Sequence, residues 1–375
     1  MASSQLSDLD TDLGESFYLG SAASEDQGID DIVKAIGTAI KGHFDAGKGM
    51  ARRDAHAYDN GCVRALFRVD AHLAPDLQHG VFIPGKEYRA WIRCSNGNSE
   101  PRPKWLPDAR GFAIKLMGVP GDKLMDDEKN TQDFILITYP TFFVDDLARY
   151  KTTLEAFLRG TLWDQFVNTV RALKGREKII ALASNLRWIT NPLFQQYFSM
   201  VPYRLGPATG RKIAVKYMAK PQLAERPSVF SRVATFLSHD FSPKKEMNNL
   251  LAGKEMWFDF YIQRFADKER TPIEDSKVLW KETVSPYEHV AKIVIPMQDI
   301  MSEAQARFCE NLSFSPWHGL AEHKPLGLVN RVRRRAYIAI STLRHSLNKE
   351  PRTEPTGDEV FSERSRPLTV GTRAE

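Results

Sequence analysis

The chain has 375 residues, 42% hydrophobic and 10% aromatic, enough to bury a sizeable core in one large domain or two ordinary ones. Its 52 Lys and Arg against 47 Asp and Glu give a formal charge of +5 spread thinly along the sequence, which offers no footprint for a nucleic-acid partner. Cys62, Cys94 and Cys309 lie far apart with no Cys-x-x-Cys pair, which excludes zinc-ribbon and iron–sulfur motifs and points to a reducing compartment.

In chain order, residues 1–28 are polar, free of Lys and Arg, and carry Asp8, Asp10, Asp12 and Glu15. They read as a flexible arm, not a secretory or transit leader. No apolar run reaches the length of a membrane span, so a cytoplasmic protein with no transmembrane segment is expected. In IDDIVKAIGTAIKGHF, Ile32, Ala35, Ile36, Ile40 and Phe44 recur at helical spacing and predict an amphipathic helix.

From Asp59 to Met117 the period changes to two: Val63, Ala65, Phe67 and Val69 alternate with Arg64, Leu66 and Arg68, followed by YRAWIRCS and GFAIKL. QDFILIT, KIAVKYMA, MWFDFYIQR and AKIVIP are further strand-like segments. Few helices separate the early strands, so the pattern predicts an antiparallel sheet or barrel in an α+β fold, not a parallel βαβ sheet. A helical insertion is expected over about 144–195. A last helix is expected in LVNRVRRRAYIAISTLRHSL, with Val332, Ala336, Ala339, Ile340 and Leu343 on its apolar stripe. The polar, Pro-bearing stretch 346–375 reads as a disordered tail, leaving 29–345 as the folded domain.

Nucleophile-elbow, Walker, dinucleotide and His-Glu-x-x-His motifs are missing. His318 and His323 in PWHGLAEH are five residues apart, and a structural role is the simpler reading than a metal site. Arg333 and Tyr337 share a helix face at i, i+4, where a guanidinium can favour the ionised form of a phenol. Arg344 follows two turns later on that face.

Other segments give this pair a context. ARRDAHAYDNGCVRALFRVD resembles the distal segment of the haem catalase superfamily, with Arg53 three residues before His56. WIRCSNG resembles that superfamily's Arg-x-Ser strand, DARGFAIKL its Asp-Pro-Arg-Gly-Phe-Ala-x-Lys signature, and EKNTQDFILI its distal-Asn segment, mapping to Asn130. Phe143 in PTFFVDD falls at the aromatic that stacks on the haem, and Arg333-x-x-x-Tyr337 at the proximal ligand motif. The resemblance spans about residues 45–345 and is poor over 150–250.

The resemblance implies an antiparallel β-barrel with surrounding helices, holding ferric haem b through Tyr337 as iron ligand. Arg53, Arg93 and Arg344 would meet the propionates, Ser95 would orient His56, and Arg333 would tune the phenolate. His56 would act as acid–base and Asn130 as hydrogen-bond donor to a bound peroxide, although a turn or cap is the ordinary reading of an Asn at a loop-to-strand junction.

Three departures qualify the resemblance. Ala55 precedes His56 where catalases have Val and the related allene oxide synthases Thr. The short stretch after Tyr337 is expected to lack the helical domain of full-size catalases, and the insertion is expected to add apolar surface. These features favour the small catalase-related haem proteins. The expected activity is cleavage of the O–O bond of hydrogen peroxide or of organic and lipid hydroperoxides. A fatty-acid hydroperoxide isomerase and a non-catalytic haem-binding protein stand as alternatives, with peripheral membrane contact and homo-oligomerisation left open.

Overall fold

The period-two pattern of the early strands is realised as two faces of a barrel wall. In β1 (Asp59–Val69), Val63, Ala65, Phe67 and Val69 point inward and are buried in the central core. The computed structural model describes residues 9–45, 50–53, 56–97, 108–158, 171, 173–185, 189–222 and 242–361. Ala55 lies outside the described residues.

β2 (Glu87–Asn96), β3 (Arg110–Met117) and β4 (Thr131–Ile137) follow β1 in an antiparallel meander. The sheet continues through β9 (Tyr287–Ile295), β8 (Met256–Arg264) and β7 (Ile213–Pro221). The short β5 (Tyr197–Phe198) pairs with both β4 and β7 and closes an eight-stranded antiparallel ring, and β6 (Tyr203–Leu205) pairs with the other end of β7. Closure leaves the ring no open edge.

Aromatic side chains fill the barrel. Phe134 meets Tyr217 edge-on at 4.9 Å and Phe260 at 5.1 Å, and Phe67 meets Phe260 at 5.2 Å. Among the described residues six α-helices accompany it: α1 (Ala22–Asp45), α2 (Leu147–Leu158), α3 (Arg176–Asn185), α4 (Pro243–Gly253), α5 (Glu303–Asn311) and α6 (Leu328–Asn348). The fold is therefore α+β, as the sequence pattern predicts. α1 lays Ile29, Ile32, Ile36 and Ile40 against Leu147 of α2 and Leu328, Val332 and Ala336 of α6. The predicted stripes of the first and last helices thus meet each other. The expected insertion contains α2 and α3, and residues 159–170 within it lie outside the described residues.

Both predicted ends are more ordered than composition suggests. α1 starts at Ala22, within the stretch expected to be a loose arm. Asp10 binds Lys212 at 2.7 Å, Lys324 at 2.9 Å and Arg204 at 3.1 Å, while Glu25 and Glu15 hold Arg331 at 2.6 and 2.9 Å. Buried ion pairs dock acids that would otherwise look like a solvated run. The tail is likewise held up to Phe361. Glu354 accepts the Lys129 amide at 2.9 Å, Glu359 accepts the Trp91 indole N–H at 2.9 Å, and the Phe361 ring lies 5.1 Å from that of Phe308. Residues 362–375 lie outside the described residues.

Cys62 of β1 and Cys309 of α5 are joined by a disulfide across 247 residues, and Cys94 is free and buried. Sequence parity gave no sign of this bond, which runs against the reducing compartment inferred from it.

Candidate active site

Residues that pair directly across an antiparallel sheet project from the same face. Asp59, Ser95, Gly111 and Ile137 form one such row over β1–β4, and Cys62, Arg93, Ala113 and Ile135 form the next. Both rows lie on the outer face of the barrel, under the chain before β1 and under α5 and α6.

His56 stands just ahead of β1 in the left-handed region, φ 58°, with its amide donating to the Gly97 carbonyl at 3.3 Å. Ser95 Oγ lies 3.1 Å from His56 Nδ1, as the expected orienting contact requires. The ring rests on the bare Cα of Gly111. A Cβ there would come within 2.5 Å of Ser95 Oγ and 2.7 Å of His56 Nδ1. Burial, and after it repulsion from Arg93, lower the His56 pKa to about 4, with Arg333 and Arg110 adding to the effect. The imidazole is neutral at neutral pH. Arg333 on α6 therefore sits close enough to the histidine for its charge to be felt there.

Arg53, Arg93 and Arg344 converge on Glu310. Arg93 donates to the His56 carbonyl at 2.9 Å and lies 3.6 Å from Glu310. Arg53 pairs with Glu310 at 2.9 Å and donates to the Leu312 carbonyl. Arg344 donates to the carbonyls of Glu310 at 2.7 Å and Leu312 at 3.3 Å. Burial raises the Glu310 pKa, but Arg53, Arg93, Arg344 and Arg52 together pull it below the usual carboxylate range. For Arg53, burial and then Arg93 weaken the charged form, while Glu310 and Asp59 favour it. Four guanidinium groups thus face two carboxylates. Arg93 Nε, Glu310 Oε2 and Asp59 Oδ2 are buried with no hydrogen-bond partner among the described residues. Of these, Arg93 Nε is a buried donor that a further carboxylate could satisfy.

On α6, Tyr337 is half-buried one turn after Arg333. The Arg333 guanidinium lies 5.8 Å over the Phe142 ring, and its Nη1 is buried with no partner among the described residues. The Phe143 ring lies tilted against that of Phe142, centroids 4.7 Å apart, in an apolar cluster with Ile137, Val144, Met200, Val201 and Val329.

Asn130 is not part of this site. It is exposed at the opposite end of the β3–β4 hairpin, where its amide donates to Glu354 at 2.5 Å. Thr131 pairs with Met117, whereas Ile137 pairs with Gly111 beneath His56. Six strand steps of ~3.3 Å separate the two ends by about 20 Å. The side chain that shares a row with Ser95 and Gly111 is Ile137, which has no hydrogen-bond donor. Sequence reasoning also passed over Gly111, buried inside a recognised signature, and Glu310, a single acid that no pattern singles out.

His318 and His323 belong to separate networks. His318 Nδ1 is 3.1 Å from Asp133 in a group with Glu128, and the Lys115 ammonium already sits among these acids, 2.8 Å from Asp133. His323 Nε2 accepts the Val81 amide at 3.0 Å and Nδ1 meets the Tyr217 hydroxyl at 3.1 Å.

The closed eight-stranded barrel with helices over one outer face is the fold of catalases. It matches a fungal catalase with a TM-score of 0.64 and 17% identity, covering 81% of this chain and 61% of that one. A bacterial catalase gives 0.61 and 16%, covering 89% and 66%, and catalase A from Saccharomyces cerevisiae gives 0.64 and 15%, covering 89% and 72%. The chain spans between 61% and 72% of the length of these structures. No family model and no curated protein sequence matches it. No described helix is long and apolar enough to cross a membrane.

Proposed function

We propose that the outer-face site binds ferric haem b and serves to cleave the O–O bond of a peroxide, with organic or fatty-acid hydroperoxides favoured over hydrogen peroxide. The observation that carries this reading is the arginine cluster. Arg52, Arg53, Arg93 and Arg344 outnumber Glu310 and Asp59 in a buried place beside His56, and two propionates would add negative charge there. Bound there, the haem would supply an iron that takes the peroxide oxygen and accepts its oxidising equivalents.

The chain's own residues supply the rest. Tyr337 is assigned as the anionic iron ligand, one turn after Arg333 on α6. Phe143 is assigned to the haem face. His56, neutral and held by Ser95, would take the proton from one peroxide oxygen and return it to the other as the O–O bond breaks.

Two features favour a larger substrate. Ile137 sits in the row beside Ser95 and Gly111, so that position offers no second donor for a small polar peroxide. The cluster of Ile137, Phe142, Phe143, Met200, Val201 and Val329 suits an acyl chain. The same wall would serve a hydroperoxide isomerase, which needs no external reductant. Product analysis with and without an electron donor separates the two. With Asn130 remote, His56 alone distinguishes this site from that of a passive haem carrier, and inertness towards every peroxide with haem bound would establish the carrier.

The test is haem reconstitution followed by an absorption spectrum and a peroxide panel on the same sample. A high-spin, tyrosinate-type spectrum is expected. Tyr337→Phe should lower haem retention or turnover by about tenfold or more. Undiminished binding and turnover in that variant, or no haem uptake by the wild type, would overturn the reading.

A further inference from the structure

We propose that α3, with the residues just before it, docks on an anionic lipid bilayer. Ile179 is 68% exposed and Leu182 42% exposed. At 100° per residue they lie about 60° apart on one face of the helix. Arg176 flanks that face on one side and Lys178 on the other, and both are exposed, as are Arg171 and Lys174. The acid among them, Glu177, is buried and paired with Arg149 at 2.6 Å, so it does not offset the basic rim.

The opposite side of the helix is anchored. Ile180 is buried, and Ala181 packs on the cluster that contains Leu173, Phe142, Phe143 and Val329. The exposed pair is therefore held outward by a fixed inner face. An apolar ridge flanked by Arg176 and Lys178, with Arg171 and Lys174 exposed in the residues before the helix, matches the two components of an acidic membrane surface, acyl boundary and anionic headgroup. A second copy of this chain, at a net charge of +5, would cover the ridge but not complement the cations beside it. The inner side of α3 adjoins the apolar wall of the proposed haem site, so a docked protein would draw lipid hydroperoxides from the bilayer; this last step rests on the proposed function.

Cosedimentation with vesicles of one part phosphatidylserine to two parts phosphatidylcholine tests the surface, with pure phosphatidylcholine vesicles as the control. Wild-type protein should bind the acidic vesicles and not the neutral ones. Charge neutralisation by K174Q, R176Q and K178Q together should weaken binding by about a hundredfold, at ~1 kcal/mol per cation. Ile179→Asp with Leu182→Asp should abolish it, with thermal stability unchanged because both side chains are exposed. Lack of wild-type binding, equal binding to neutral vesicles, or full binding by either variant would overturn the proposal. So would concentration-dependent dimerisation that Ile179→Asp removes, since the face would then belong to a second copy. Turnover of cumene hydroperoxide in free solution reports on the proposed function separately: it should be equal in wild type and variants, and its absence in haem-loaded wild type would refute that function without altering the vesicle result.

Discussion

At the scale of single residues, the site depends on one absent side chain as much as on those present. Gly111 is conformationally ordinary, yet it is the floor on which the His56 ring lies. A methyl group there would collide with both Ser95 Oγ and His56 Nδ1, and Ser95 is fixed in β2. The ring would have to give way. Gly111→Ala is therefore expected to cost about tenfold or more in turnover of the haem-loaded protein, with a smaller effect on haem binding, because the arginine cluster lies one row away. Steady-state kinetics beside a haem titration measures the two effects. Equal loss of both would mean that Gly111 supports the fold of the wall and not the histidine. Asn130 teaches the complementary lesson. An Asn in a plausible motif was legible, but the register of the β3–β4 hairpin was not, and a shift along that strand exchanges a polar side chain under His56 for Ile137.

At the scale of elements, α5 is the piece that local sequence could not place. It brings Glu310 between Arg53 and Arg93, and the neighbouring residue, Cys309, ties it to Cys62 on β1. Gln305 adds a hydrogen bond to the Cys62 carbonyl at 2.7 Å. Cys309→Ser should lower unfolding stability by about 2–4 kcal/mol through the longer-range freedom restored to the unfolded chain. Denaturant melts of oxidised, reduced and variant protein check this, and a midpoint indifferent to reduction would show that the bond adds nothing. The strands and the first and last helices were legible because period two and period 3.6 are local signals. The disulfide, the docked arm and the docked tail were not, because each joins residues hundreds of positions apart. Asp10, Glu15 and Glu354 look like solvated acids until Arg204, Arg331 and the Lys129 amide are brought to them.

At the scale of the whole molecule, buried histidines set opposing dependences of stability on pH. His318 is raised above its ordinary value: burial and then Lys115 lower it, but Asp127, Asp133 and Glu128 together raise it further. Its contribution is present below the unfolded value of ~6.5 and is lost as pH rises through the folded value. His323 and His56 run the other way. Burial, and after it His79 and Lys123, bring His323 down to about 3, and His56 lies at about 4. The Val81 amide must donate to His323 Nε2, so the proton resides on Nδ1, toward the Tyr217 hydroxyl, and a second proton would have to displace the amide. The ring also fills the space left open by Gly80, so it cannot turn aside. The unfolded chain takes up protons as pH falls below ~6.5 while folded His323 and His56 do not, so stability falls with pH down to their folded values. By about pH 5 the fully buried His323 should account for roughly 2 kcal/mol of that loss. Denaturation midpoints between neutrality and pH 5, above the usual carboxylate range, should show a slope that His323→Gln reduces by about one proton. An unchanged slope in that variant would show that His323 titrates alike in the folded and unfolded chains.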